Sequence, residues 1–497
     1  MRAERPPVQG DVPIERPGDW VTREYLEEHR LLPLARGDGG VVVAFAGRPD
    51  PQAVAELEVL FGARVALREW GEDELLQAVR EAFGHDDTAA GMIAGMAGGS
   101  DDGDVGTHDL EEMANQAPVV RLVNLLLTEA VEAGASDVHM EAEARGMSVR
   151  YRVDGVLQPA PAPPAQLRAA VVSRLKIMAE MDIAERRLPQ DGRVRLRTGD
   201  RELDVRVSTL PTLHGESVVL RLLDTEGERI GLEGMGMGAD TLAALLGFAG
   251  RPHGVVLATG PTGSGKTTTL YGLLDRIRTG REKIVSVEDP VEYELAGVAQ
   301  VPVNTRAGLT FARALRSILR QDPDILLVGE MRDPETAEIC VQAALTGHMV
   351  LSTLHTNDAP GALTRLVELG VPDYLVASTV EAVLAQRLVR RVCAQCAEPG
   401  PIDPAVARGM AEAGYPASSA LRGRGCPSCR GTGFRGRTGI YELLRVDDEL
   451  RAELLLRPGA DGLRRLALAR GMRPLQADGW RQVAAGVTTP EEVLRVA

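Results

Sequence analysis

The sequence predicts a multidomain α/β protein organised around a parallel sheet that carries a phosphate-binding loop. Three observations carry this expectation. An apolar strand at 254–259 runs into a glycine-rich loop and then a helix, two later apolar runs each end in a carboxylate, and helix-period and strand-period segments alternate along the rest of the chain. At 497 residues the chain should hold about three or four domains of ~150 residues each. Its 44% hydrophobic and 26% charged residues are a globular balance with enough apolar material for a core. No apolar run approaches the ~20 residues of a membrane-spanning helix. The opening MRAERPPVQG has no apolar segment of the secretory kind, so a cytoplasmic location is expected. The net charge of −15 argues against a protein that works by gripping nucleic acid.

Composition breaks set the expected domains. Residues 1–83 read as a small N-terminal α/β domain, from VTREYLEEH, VVVAFAG, PQAVAELEVLFG and DELLQAVREAF. Residues 84–108, rich in Gly and Asp, read as a flexible linker. A middle domain at 109–226 opens with the amphipathic helix APVVRLVNLLLTEAVEAG. It continues into MSVRYRVDG, GRVRLRT, ELDVRVSTL and SVVLRLL, strands in which arginine alternates with Val and Leu. The glycine-rich segment 227–238 reads as a second linker, 239–388 as the nucleotide-binding core, 389–438 as a cysteine-bearing insertion and 439–497 as a short helical domain.

The loop Gly260-Pro261-Thr262-Gly263-Ser264-Gly265-Lys266-Thr267, followed by Thr268, is a full G-x-x-x-x-G-K-[ST] match in its strand–loop–helix setting. Its glycines let backbone amides wrap a phosphate chain, so the expected ligand is ATP. Lys266 would neutralise the β- and γ-phosphates, and the Thr267 hydroxyl would ligate Mg²⁺. The next strand ends in Glu288-Asp289, and a third, Ile325–Val328, runs into Gly329-Glu330. Strand ends of a parallel sheet face the ligand. Glu330 stands where many such ATPases carry Asp, and either a water-mediated hold on Mg²⁺ or activation of the attacking water would suit it. HMVLSTLHTND carries His348 and His355 on either side of an apolar run. Its strand position makes His355 a candidate γ-phosphate sensor, whereas His348 reads as structural.

Cys393 and Cys396 form one C-x-x-C pair, Cys426 and Cys429 another. Four thiolates on two such knuckles suit a closed, tetrahedral and therefore structural Zn²⁺ site. Cys340 stands alone on a helical segment and reads as packing.

Read together, GPTGSGKT, VSVEDPVEYELAGVAQ, RQDPDILLVGEMRDPETA and LTGHMVLSTLHTND resemble the Walker A, Asp-box, Walker B and His-box motifs of the secretion ATPases of type II secretion and type IV pilus systems. The resemblance spans about 109–497 and includes ASDVHME, RLPQDGR and DVRVSTLPTLHGESVVLRLL. It implies a RecA-like core and a PAS-like middle domain. It also implies a homo-hexamer that hydrolyses ATP at subunit interfaces, and recruitment to an inner-membrane platform through the N-terminal domain. Glu330 becomes the catalytic carboxylate, with Glu288 and Asp289 as Asp-box acids. Arg206 and Arg221 fall at positions that in this family reach the nucleotide interface. Arg316 and Arg320 are weaker candidates for that role. Within the family, the short N-terminal domain and the continuation RGRTGIYELLRVDDEL favour type II secretion over pilus extension. Two other classes stay open: a RecA-like nucleic-acid translocase, disfavoured by the acidic charge and 3% aromatic content, and a non-hydrolysing scaffold, disfavoured by the presence of Lys266 and Glu330.

Overall fold

The computed structural model describes residues 23–37, 40–72, 75–76, 78–79, 88–96, 107–198, 201–224, 231–456 and 459–497. These fall into two compact units, 1–224 and 225–497.

The first unit opens with a helix, Arg23–His29, and strands β1 (Leu31–Gly37) and β2 (Gly40–Phe45). A helix at Pro51–Phe61 then crosses to β3 (Val65–Glu69), giving the sheet order β1-β2-β3 with β2 and β3 parallel. The Asp50 side chain accepts the Gln52 N–H and Pro51 occupies the first turn, which fixes where that crossover helix begins. Leu26, Leu31, Val43 and Leu57 fill the core between helix and sheet.

The middle part of this unit is a six-stranded antiparallel sheet. Its strands are β4 (Ala135–Glu143), β5 (Gly146–Val153), β6 (Val156–Ala160), β7 (Gln190–Thr198), β8 (Arg201–Thr212) and β9 (Gly215–Asp224), in the order β6-β5-β4-β9-β8-β7. The helix Ala117–Glu132 lays Val119, Leu122, Val123, Leu126 and Ala130 on one face of the sheet, at the spacing the sequence predicted. Met147, Val149 and Tyr151 of β5 point to that core, so Ser148, Arg150 and Arg152 emerge on the other face.

The second unit is built on β10 (Gly254–Thr259), β11 (Ile284–Glu288), β12 (Val298–Pro302), β13 (Ile325–Val328), β14 (Met349–Leu354) and β15 (Val380–Val392). Two short strands follow, β16 (Ala397–Pro401) and β17 (Ser419–Gly423), and then β18 (Phe434–Arg445). The main sheet runs β12-β11-β13-β14-β10-β15-β18, and only the β15–β18 pair is antiparallel. Strands β10, β11, β13 and β14 are buried at every position, which is why they read as unbroken apolar runs. Val255, Leu257, Val328 and Val350 face the helices Pro334–Leu345 and Ala359–Glu368. Val256, Ala258 and Leu351 face the helix Lys266–Ile277 through Leu270 and Leu273. An α/β architecture with a RecA-like core is what the sequence predicted.

Three expected boundaries differ from the structure. Within 84–108 the segment Ala89–Met96 is a helix: Ala89 is buried and its N–H donates to Glu129 Oε1 at 2.7 Å, while Met92 and Ile93 pack on the middle core. Of the second linker, 231–238 is fixed to the core, because Leu232 and Met235 are buried and Gly236 O accepts from Arg481 and Gln482; 225–230 lies outside the described residues. The 438/439 boundary passes through β18, whose Ile440 and Tyr441 are buried in the central sheet. The helices after it, from Asp448–Leu455 to Pro490–Val496, pack back on the same unit.

Candidate nucleotide site and cysteine cluster

Parallel pairing brings the motif residues together. Thr259 at the end of β10 is in register with Leu354 of β14, and Val328 of β13 with Ser352. The residues after those strand ends, the phosphate loop, Glu330 and His355, therefore collect at one edge of the sheet. Thr259 Oγ1 and Thr356 Oγ1 lie 2.7 Å apart and tie the two strand exits together.

Gly260 has φ +149°, and a Cβ there would stand 2.5 Å from Gln386 O, so only glycine lets the loop pass beside β15. Gly265, in the left-handed region, caps the helix that begins at Lys266. The Lys266 ammonium donates to Gly260 O at 2.7 Å and Pro261 O at 3.0 Å. Burial pushes it down to about 8; the Glu330 charge opposes that shift and Arg387 adds to it. Ser264 Oγ is buried with no hydrogen-bond partner among the described residues, a polar atom that a phosphate oxygen inside the loop would satisfy. Thr267 is half-buried in the first turn of the helix; Thr262, Gly263 and Thr268 are exposed around it. The loop thus fits a nucleotide phosphate chain, and Thr267 in the first turn of the helix would supply the hydroxyl for its Mg²⁺.

Glu330 is mostly buried. Its Oε1 pairs with Arg332 at 2.5 Å and its Oε2 lies 3.4 Å from His355 Nε2. Burial, and next the Lys266 charge, hold the His355 imidazole below its ordinary range. Lys266, Glu330 and His355 are the sequence-predicted residues that converge. His348 instead donates Nδ1–H to Ala343 O at 2.8 Å, at the entry to β14.

Glu288 is placed otherwise. Its carboxylate is buried and accepts from Tyr271 of the loop helix, from Ser286 Oγ at 2.5 Å and from Gln300 Nε2 at 3.2 Å. None of these partners is Lys266 or Glu330, so the structure turns Glu288 toward the loop helix, while Asp289 is exposed. The same bond raises the Tyr271 hydroxyl, together with burial, far above its ordinary range. Arg316 pairs with Glu335, and Arg320 donates to Arg316 O at 2.6 Å. Arg206 and Arg221 stand on β8 and β9 of the first unit, opposite each other in register.

Four residues beside the loop escaped sequence reasoning. Gln386 accepts from Thr269 Oγ1 at 2.7 Å, and Arg387 donates to Asn357 O at 2.7 Å. Arg332 and Tyr271 hold the two carboxylates. The available signals were weak: a Gln-Arg pair inside the apolar run of β15, and an arginine two residues after Glu330.

The four cysteines cluster in the second unit, with all their Sγ atoms within 4.8 Å of one another. Cys393–Cys426, Cys396–Cys429 and Cys426–Cys429 are separated by 3.9, 3.8 and 3.7 Å. Ligands 2.3 Å from a tetrahedral zinc stand about 3.8 Å apart, so this arrangement fits that ion. The N–H groups of Cys426 and Gly433 donate to Cys429 Sγ at 3.1 and 3.2 Å, the support a metal-bound thiolate needs. Cys340 is fully buried and its thiol is raised far above its ordinary range by that burial.

Fold and site together define a RecA-like P-loop ATPase. Residues 112–495 match the family described as Type II/IV secretion system protein. The Type II secretion system protein E of Pseudomonas aeruginosa is 48% identical over 91% of this chain and 91% of its own. The Type II secretion system ATPase E of Vibrio cholerae is 48% identical over 78% of this chain and 77% of its own. Among solved structures, the Legionella pneumophila ATPase DotB shares the fold at a TM-score of 0.55, with 20% identity over 75% of this chain and 94% of its own. The chain belongs to the type II/IV secretion system protein family and is a secretion ATPase.

Proposed function

We propose that this protein is the ATP-hydrolysing motor of a type II secretion system, acting as a hexameric ring that drives pseudopilus assembly and protein export. The observation that carries this reading is the convergence of Lys266, Glu330 and His355 at the edge of the parallel sheet beside the phosphate loop. Amides and Lys266 hold the phosphates, and the ammonium swings from Gly260 O and Pro261 O to the β- and γ-oxygens. Thr267, with Glu330, would hold Mg²⁺, and the ion would supply neutralisation of phosphate charge. Glu330 orients and deprotonates the attacking water, and His355 reads the γ-phosphate beside it. Glu288 acts through Tyr271, keeping the loop helix seated against β11 rather than touching phosphate. Arg206 and Arg221 reach the nucleotide of a neighbouring subunit and meet the charge that develops on its γ-phosphate. The four cysteines hold a structural Zn²⁺. The N-terminal domain docks on a membrane-anchored partner, which places this otherwise cytoplasmic protein at the inner membrane. Among the described residues no helix is long and apolar enough to cross a membrane.

The test is a mixing experiment. Arg221→Ala should lower turnover by about 10³-fold, the low end for an arginine finger. Glu330→Gln should also be inactive alone. Rings mixed from the two should regain activity, because some interfaces then contain one intact half from each. Verified mixed hexamers without recovery, or full activity in a dilute monomer, would overturn the shared-site reading.

A further inference from the structure

The outward face of the middle sheet carries an unusual row. Arg193 of β7 stands opposite Arg206 of β8, and Arg206 opposite Arg221 of β9. Arg221 stands opposite Asp137 of β4, and Asp137 opposite Arg152 of β5. Cross-strand partners lie ~5 Å apart at Cβ, and like charges at that spacing repel. Four arginines and one aspartate thus stand in a single line across five strands, and the aspartate pairs with the two arginines beside it, Arg221 and Arg152. The neighbouring row is balanced differently, with Arg195 opposite Asp204. A cavity of about 410 Å³ opens along the arginine end, lined by Arg193, Arg206 and Arg221, with Ser208 and Val219 between them and the Asp191 carboxylate at its β7 edge.

Asp137 is the fixed point of this row. Its side chain is 9% exposed, against 54% for Arg221. Oδ1 accepts from Arg221 Nε at 3.0 Å; Oδ2 accepts from Ser136 Oγ at 2.8 Å and lies 3.6 Å from Arg152 Nε. The bond to Arg221 engages Nε, which leaves the forked Nη groups for another acceptor. A free arginine side chain carries ~2 kcal/mol of rotamer entropy, and a single anchored Nε removes much of it before an anion arrives.

We propose that Asp137 is a positioning residue for ATP hydrolysis. It holds Arg221 so that the Arg193–Arg206–Arg221 row presents its guanidiniums, as a unit, to the phosphate chain of a nucleotide on the adjacent subunit. The role rests on the shared-site reading above. It also makes Arg193 a third cation on that surface.

The experiment uses the full chain with Mg²⁺ and ATP. Asp137→Asn keeps the size of the side chain while removing its charge, and should lower kcat by about 10²-fold, as expected of a misplaced catalytic group. ADP affinity of the dilute subunit, set by its own phosphate loop, should not change. Introduced into Arg221→Ala, the same change should cost nothing further, since the group it positions is gone. Asp137→Asn subunits should regain activity when mixed with Glu330→Gln subunits and regain none with Arg221→Ala subunits, because the last two lesions lie on the same half of the interface. Wild-type turnover, a loss that adds to that of Arg221→Ala, or recovery in the mixture with Arg221→Ala would each overturn the proposal. The Arg221→Ala plus Glu330→Gln mixture separates the two readings. Recovery there, without recovery for Asp137→Asn plus Glu330→Gln, removes the Asp137 role alone; failure in both removes the shared site and the role with it. If Asp137→Asn does not reach the native fold, Ser136→Ala decides. It leaves the charge but loosens Oδ2, and it should lower kcat several-fold with the same non-additivity, an unchanged kcat overturning the assignment.

Discussion

Proton uptake on nucleotide binding tests the environment of Lys266 directly. The ammonium is buried against Gly260 O and Pro261 O, and burial brings it down to about 8. A bound phosphate chain requires it charged, so binding must draw a proton into every subunit whose lysine is neutral. With a free-state value of about 8, the neutral fraction is about 0.1 at pH 7 and about 0.9 at pH 9. MgADP should therefore bind with an uptake of about 0.1 proton at pH 7 and about 0.9 at pH 9, and about tenfold more weakly at the higher pH. The sign follows from the direction of the shift: affinity is fully present below about 8 and is lost as pH rises through it. His355 is held below its ordinary range by burial and then by the Lys266 charge. Titration calorimetry at both pH values, in two buffers of different ionisation enthalpy, reads the proton count. Lys266→Arg, with a guanidinium that stays charged, should abolish the difference. An uptake at pH 9 no larger than at pH 7, or one that survives in Lys266→Arg, would refute the reasoning.

Glu330→Gln keeps the shape of the side chain and should retain ADP binding while lowering turnover by about 10²- to 10⁴-fold, the range for loss of a general base, as read by steady-state phosphate release. Elemental analysis should find about one zinc per chain, and Cys393→Ser or Cys426→Ser should lose it. Amide exchange should then rise across 389–438 while ADP binding persists. Glu492 is buried between Arg390 and Arg495, and these bonds outweigh burial to hold it at about 2, against 4.5 when free. Because its value is depressed by folding, it contributes stability above about 4.5 that is lost as pH falls toward 2, about 3 kcal/mol in all. Acid unfolding of Glu492→Gln should be correspondingly flatter over that window.

How much of this was legible depended on whether a signal was local. The phosphate loop, the strand ending before Glu330 and the two C-x-x-C pairs are contiguous patterns, and each could be read from a few residues. The alternation of arginine with Val and Leu likewise gave β5, β7, β8 and β9. What stayed hidden comes from pairing between distant segments. The Gln386 contact with Thr269 depends on β15 lying beside β10, and the 438/439 boundary failed because β18 returns to β15 across the cysteine insertion. Glu288 illustrates a third kind of miss. Its position at the end of β11 suggested a ligand-facing acid, but strand alternation puts it with Ser286 toward Tyr271, and only the packed helix reveals that. The helix Ala89–Met96 was masked by its Gly- and Asp-rich surroundings, although its apolar residues are the reason it docks.

The place of β10 in the sheet also sets an order of events during synthesis. Gly254 pairs with Met349, 95 residues later (254 to 349), and Val255 pairs with Val380, 125 residues later (255 to 380). A growing chain thus makes the apolar strand Val255–Ala258 and its phosphate loop long before either flank exists. Until β14 and β15 emerge, that strand has two open edges, and such non-local parallel pairing is slow and exposed to aggregation. A settled phosphate loop consequently waits until β14 and β15 have been made. Soluble yield should therefore respond more to the rate of synthesis through 349–392 than to any step near the loop itself.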